Sequence, residues 1–403
     1  MVQHNVTCLQ TLDLSNSCFL NVGENEIAQV IRMNPFLSTL SLKNTSIRGD
    51  MLKEIAKSIE VMHNLTCLKV SNNSFEHGEL IPLAQSLKNK PLKDLDLSGN
   101  QIGLGDTRAL VEMIQNCPTL HSINLDGTRI SLKSLELLAN AIHSIKKLDL
   151  SCNKIDSNCM EMLTRVLRKK PSITCLNLFD NKLSDTGVAH LVDLLLSNPS
   201  ITSINLGLNQ IGSSGMRLLS SFIQQSETIS EICLCANAIG NDSTSMSSFA
   251  VSLSRNTSLS DLDISFNCIR DKEMELLCQA LKNKKSLLYL EVGNNSLSPD
   301  GVQSVLNMVA KNPQLKFLSM YNDKTNTNTL TALCNLIQTN STLTDLKIGV
   351  RGIDKHTLQY LEVALSHNKT LKKIVIIDCI IHQADKERIK AIGKKNGCNK
   401  VVI

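Results

Sequence analysis

Residues 92–103 read LKDLDLSGNQIG, and the role of Asn100 in that stretch decides the fold. Leu92, Leu95 and Leu97 make an apolar frame, and Asn100 stands between it and Ile102. Asn is a poor strand residue and a poor core residue, so a framed Asn needs a reason. The same frame recurs as LTCLKVSNNSF from Leu65, ITCLNLFDNKL from Ile173, ITSINLGLNQI from Ile201, LSDLDISFNCI from Leu259 and LLYLEVGNNSL from Leu287.

Numbering each copy from its first apolar residue, places one, four and six are apolar and place nine is usually Asn. Fourteen copies begin at Leu9, Leu37, Leu65, Leu92, Leu120, Ile145, Ile173, Ile201, Ile229, Leu259, Leu287, Leu315, Leu343 and Leu371. Ten of the thirteen intervals are 28 residues, and the others are 27, 25 and 30. A fixed period of this length means stacked structural repeats. Places four and six alternate as on a strand with one buried face. The second half of the repeat changes period. Met160, Leu163 and Leu167 stand at i, i+3 and i+7, as do Val188, Leu191 and Leu195, Met216, Leu219 and Ile223, and Met274, Leu277 and Leu281. That spacing makes one apolar stripe on a helix. Ser298 followed by Pro299 reads as an N-cap with Pro in the first helical position.

Where the chain turns from strand to helix, backbone groups lie near the core and need partners. An Asn amide both donates and accepts, so stacked Asn side chains can bridge successive turns. Place nine is Asn73, Asn100, Asn153, Asn181, Asn209, Asn237, Asn267 and Asn295 in eight copies. Ser17, Thr45, Thr128 and Cys379 are smaller donors there, whereas Asp323 and Arg351 break the pattern. These Asn residues are read as structural.

The pattern resembles leucine-rich repeat proteins over essentially the whole chain, and the 28-residue period resembles the ribonuclease-inhibitor-like class. The resemblance implies an α/β solenoid of about fourteen strand–helix repeats, a horseshoe with a concave parallel sheet and convex helices. Strand spacing of about 4.8 Å against roughly 10 Å for a helix agrees with a sheet on the inside of an arc. One repeat domain over residues 1–403 is expected, with a last helix at 384–395 and a short strand at 401–403. The 25-residue interval predicts a shortened helix at 132–143, and the 30-residue interval predicts a longer loop at 240–247. The resemblance also implies three functional settings. One is a regulatory or inhibitor module, the second a GTPase-activating protein similar to the Ran-directed family. The third is a eukaryotic-like repeat effector that an intracellular bacterium secretes into the host cytoplasm, where it acts by binding alone.

No signal peptide and no apolar run long enough to span a membrane is recognised. The fourteen Cys are scattered through the repeat frame, which predicts free thiols and a cytoplasmic setting. Asn-x-Ser/Thr triplets such as that at Asn72 then carry no glycan. The net charge of +5 is modest, and basic clusters such as Arg168–Lys169–Lys170 and Lys282, Lys284 and Lys285 are read as solvated helix ends. A Gly-rich phosphate loop, a His-Glu-x-x-His and a Gly-x-Ser-x-Gly are all missing, so neither an enzyme nor a cofactor is expected. Cys233 and Cys235 share a strand face, with Cys175 two strands away, and are read as free thiols because no His joins them in register.

The residues free to carry function are those at places three, five, seven and eight, on the strand face away from the helices. They include Asp94, Asp96, Asp126, Asp149, Asp180, Glu231, Asp261, Asp263 and Glu291, an acidic set that disfavours nucleic acid. Only eleven aromatics occur in the chain, yet Phe179, Phe266, Tyr289, Phe317 and Tyr321 all fall at these places. Large aromatics amid polar residues characterise binding hot spots. The sequence therefore points to a protein partner held by a monomer through Phe179, Phe266, Tyr289, Phe317 and Tyr321, with Asp261, Asp263 and Glu291 as an acidic border.

Overall fold

The strand that each frame encodes is short, because only places three to five lie extended before the chain turns. In the computed structural model, which describes residues 9–19, 24–321, 325–349, 354–377 and 382–402, most strands are three residues long. Fourteen α-helices and fifteen strands alternate among the described residues. Asp323, Arg351 and Cys379, which bear on the Asn row, lie outside the described residues.

The chain divides into two compact units, residues 1–182 with 193–204, and 183–192 with 205–403. In the first, β1 (Thr11–Asp13), β2 (Thr39–Ser41), β3 (Cys67–Lys69), β4 (Asp94–Asp96), β5 (Ser122–Asn124), β6 (Lys147–Asp149) and β7 (Cys175–Asn177) pair parallel in chain order. The connecting helices are α1 (Glu24–Arg32), α2 (Gly49–Glu60), α3 (Leu80–Ser86), α4 (Leu104–Gln115), α5 (Leu132–Ala141) and α6 (Ser157–Leu167). The division falls within α7 (Ser184–Ser197) and β8 (Ser203–Asn205). In the second unit α8 (Ser213–Gln225) precedes β9 (Glu231–Cys233). Then follow β10 (Asp261–Asp263), β11 (Tyr289–Glu291), β12 (Phe317–Met320), β13 (Asp345–Gly349), β14 (Lys373–Ile377) and β15 (Lys400–Val402), again parallel in chain order. Between them run α9 (Ser243–Arg255), α10 (Asp271–Leu281), α11 (Pro299–Lys311), α12 (Thr327–Thr339), α13 (Lys355–His367) and α14 (Gln383–Lys395).

The core is the meeting of the two stripes. Leu95, Leu97, Leu262 and Leu290 on the strand side and Met160, Leu163, Met216, Leu219, Met274 and Leu277 on the helix side are all buried. Each such side chain contributes about 1.5–3 kcal/mol by leaving water. Helix α11 begins as expected, with Ser298 as N-cap accepting from the Asp300 amide and Pro299 in the first turn.

The Asn at place nine is buried in all eight copies. Asn237 shows what it does. Its Oδ1 accepts from the Asn209 and Ile211 amides, each at 3.0 Å, and its Nδ2 donates to the Leu206 and Leu234 carbonyls. Asn73, Asn100, Asn181 and Asn295 repeat the arrangement, and Thr45 and Thr128 stand in the same row with their hydroxyls on the Asn73 and Asn153 Oδ1 atoms.

A second amide row runs along the helix ends, and the strand frame gave no sign of it. Asn198, Asn256, Asn312 and Asn368 each stand three residues before a frame and donate to two carbonyls of the preceding repeat. Lys284 holds the same place, and this corrects the reading of a solvated helix end. It is buried, and its ammonium donates to the Leu253 and Asn256 carbonyls.

The irregular intervals are absorbed differently from expectation in one case. Helix α5 has ten residues, but the shortest helix among the described residues is α3, at seven, in the 27-residue copy. The 30-residue copy inserts a short 3-10 helix, Ile239–Asn241, and Ser243 to Ser247 already belong to α9. Gly240 is required there, since a Cβ would lie 2.6 Å from the Asn267 carbonyl oxygen and 2.7 Å from the Ile269 nitrogen.

Candidate functional site

Strand register places the predicted residues of the second unit with some precision. Row three runs Glu231, Asp261, Tyr289, Phe317, Asp345, and row five runs Cys233, Asp263, Glu291, Ser319, Lys347. Alternate residues share a strand face, so both rows project away from the helices. Tyr289 and Phe317 are direct register partners with ring centroids 5.8 Å apart and planes tilted by 32°.

Phe266 and Tyr321 form a second pair at the other edge of row five, edge to face, with centroids 6.2 Å apart. Gly293 makes this possible, because a Cβ there would lie 2.6 Å from the Tyr321 nitrogen and 3.0 Å from its ring. The Lys347 ammonium lies over the Tyr321 ring, 4.2 Å from its centre. Phe266 and Tyr289 remain about half exposed, at 48% and 47%. The four rings therefore form two pairs, and the charged row runs between them.

Place eight is a left-handed position in every copy where it is described, occupied by Asn16, Asn44, Asn72 and Asn294, by Gly99 and Gly127, and by Phe266 among others. Asn and Gly adopt this conformation readily, whereas a bulky side chain is held there at a cost. Phe266, at φ 56°, is thus an aromatic ring presented from a strained backbone.

The acids are unequal. Asp263 Oδ1 accepts from the amide and hydroxyl of Ser265, at 2.9 and 2.6 Å, and so closes the turn after its strand. Asp96 and Asp149 do the same for Ser98 and Ser151. These carboxylates are fixed by the turn, which the sequence reading did not foresee. Asp261 takes the Ser260 hydroxyl, and burial pushes its carboxyl above the usual range. Burial, then the Asp263 charge, raises Glu291 as well. Burial, then the Glu291 and Asp263 charges, raises the Tyr321 phenol.

Phe179 belongs to the first unit, at place seven after β7, where its amide donates to Asn177 Oδ1. The ring pairs of the second unit do not include it. The remaining predicted residues, Asp261, Asp263, Phe266, Tyr289, Glu291, Phe317 and Tyr321, lie together on three successive repeats.

The Cys-x-Cys pair lies in the same unit. Cys233 Sγ is 3.3 Å from Cys235 Sγ and 3.4 Å from Asp263 Oδ2. The hydrogen bond to Cys235, then burial and the Asp263 charge, push the Cys233 thiol far up. Cys175 is instead within the first unit, 3.7 Å from the Ser203 hydroxyl. The twelve described cysteines are free. No helix among the described residues is long and apolar enough to cross a membrane.

One known repeat family agrees with this architecture. The Leucine Rich repeat family matches residues 88–110, 141–163, 169–192, 197–220 and 255–278. With fourteen strand–helix copies in the chain, the protein is a leucine-rich repeat protein. It is 29% identical to Tonsoku-like protein of Bos taurus over 100 residues, which is 23% of this chain and 7% of that protein. Among solved structures it is similar to an internalin (inlF) of Listeria monocytogenes, with a TM-score of 0.44 and 18% identity over 93% of this chain and 92% of that one. It is also similar to TLR13 in its ssRNA13 complex, with a TM-score of 0.47 and 19% identity over 91% of this chain and 48% of that one. The repeat fold supports a protein–protein interaction module.

Proposed function

We propose that the helix-free sheet face of the second unit binds a partner protein through the ring pairs Phe266–Tyr321 and Tyr289–Phe317, without catalysis. The observation that carries this reading is that the four rings form two pairs within three successive repeats, with Phe266 and Tyr289 about half exposed. The rings are already held in place, so little ordering opposes binding. Asp261, Asp263 and Glu291 favour a basic group on the partner and disfavour nucleic acid, while Lys347 beside Tyr321 offers one site to an acidic group.

The proposal includes a cytoplasmic monomer, supported by thiols such as Cys117, Cys278 and Cys334 that fill core positions. As an effector secreted into a host cell it would act by binding alone.

The test is affinity capture from a eukaryotic cytosolic extract at low and high salt, followed by GTP hydrolysis assays with small GTPases. Capture that weakens with salt, without stimulated hydrolysis, agrees with the proposal. Stimulated hydrolysis would establish the GTPase-activating alternative in its place.

A further inference from the structure

We propose that Cys233, Cys235 and Asp263 form a binding site for a thiophilic divalent cation, zinc above all. Cys233 ends β9 and Cys235 follows in the turn, which brings the two sulfurs to 3.3 Å. Asp263 comes from the next strand, as the direct register partner of Cys233. One ligand atom from each lies within 4.8 Å of the other two.

The separations suit a metal. Tetrahedral zinc with Zn–S near 2.3 Å and Zn–O near 2.1 Å places sulfurs about 3.8 Å apart and sulfur and oxygen about 3.6 Å apart. The observed 3.3 and 3.4 Å are each within roughly half an ångström of those edges. The ligands are also oriented in advance. Asp263 Oδ1 is tied to Ser265, which leaves Oδ2, the oxygen facing Cys233, to bind the cation. Two thiolates and one carboxylate form a donor set suited to zinc. Three protein ligands leave the fourth position to water or to an incoming group, the arrangement of an open zinc site. The site does not depend on the ring pairs and stands whether or not they bind a protein.

The experiment uses the full chain, reduced and stripped of metal. Zn2+ is titrated against a chromophoric chelator, and Cd2+ is added separately to read the ultraviolet thiolate-to-cadmium band. The parent should take up one equivalent with a thiolate band. The Cys233→Ser/Cys235→Ser double variant should lose that equivalent, and Cys152→Ser should keep it. Removing an outer-sphere partner already costs about 10–100-fold in metal affinity, so Asp263→Asn should weaken Zn2+ binding at least about tenfold. Unfolding curves on all variants separate lost ligands from lost fold. Equal uptake by the parent and a folded double variant, or no thiolate band in the parent, would overturn the site.

Discussion

Tyr321 meets Phe266 edge to face, 6.2 Å between ring centres, across a glycine that stands where a side chain would block it. This relationship carries two opposed energies. A left-handed conformation costs a bulky residue about 1–2 kcal/mol, and an edge-to-face pair contributes about 0.5–1.5 kcal/mol. Phe266→Asn, which installs the residue found at Asn44, Asn72 and Asn294, removes both. Its stability should therefore change by less than about 1 kcal/mol in urea unfolding, while partner capture falls.

Gly293→Ala tests the same contact from the other side. A Cβ 2.6 Å from the Tyr321 nitrogen cannot be accommodated without moving that strand end. Overpacking of this kind costs about 1–3 kcal/mol. Thermal unfolding should drop, and the near-ultraviolet tyrosine signal should change as Tyr321 leaves Phe266.

The buried amide row should be costly to interrupt. Asn237→Ala takes the partner from the Asn209 and Ile211 amides and from the Leu206 carbonyl, while the Leu234 carbonyl keeps Asn267. Each stranded buried group costs about 1–3 kcal/mol, so a loss of several kcal/mol is expected in urea unfolding. Asn237→Asp should be at least as damaging, because a carboxylate keeps the acceptor and loses both donors. A loss under 1 kcal/mol in Asn237→Ala, of the order of one exposed hydrogen bond, would mean that the row is not structural.

Much of this was legible in the repeat frame. Places four and six, the helix stripes and the Asn at place nine all sit where period and polarity put them. What was not legible depends on neighbours in space. Lys284 resembles any helix-end lysine until its place, three residues before a frame, is compared with Asn256 and Asn312. Asp263 joins Cys233 only through strand register across the 30-residue interval. The rings at places three, seven and eight separate into two pairs because row five lies between them, a distinction that no count of aromatics reveals.

Lys284 should make stability depend on pH. Burial pushes its ammonium down to about 8 from an ordinary 10.5. Above pH 8 the folded chain releases a proton that the unfolded chain still holds, so this residue adds stability as pH rises from about 8 to 10.5. Below that window both states are protonated and the burial cost is constant. Unfolding free energies of the parent and of Lys284→Asn, measured from pH 7 to 10.5, should show the parent gaining on the variant only above pH 8. A constant difference would show that the amine is not desolvated.

The claim that the paired rings bind a partner rather than brace the sheet is tested most directly by Phe266, Tyr289, Phe317 and Tyr321 changed together to Ala. Partner capture and thermal unfolding are measured on the same preparation. A hot-spot ring costs about 2 kcal/mol or more of binding when truncated, so capture should vanish while the unfolding temperature falls only slightly. Leu262→Ala, in the core, should do the reverse and lose about 2–5 kcal/mol of stability. Capture that survives in the four-ring variant while folding collapses would make the rings a structural ladder and contradict the account.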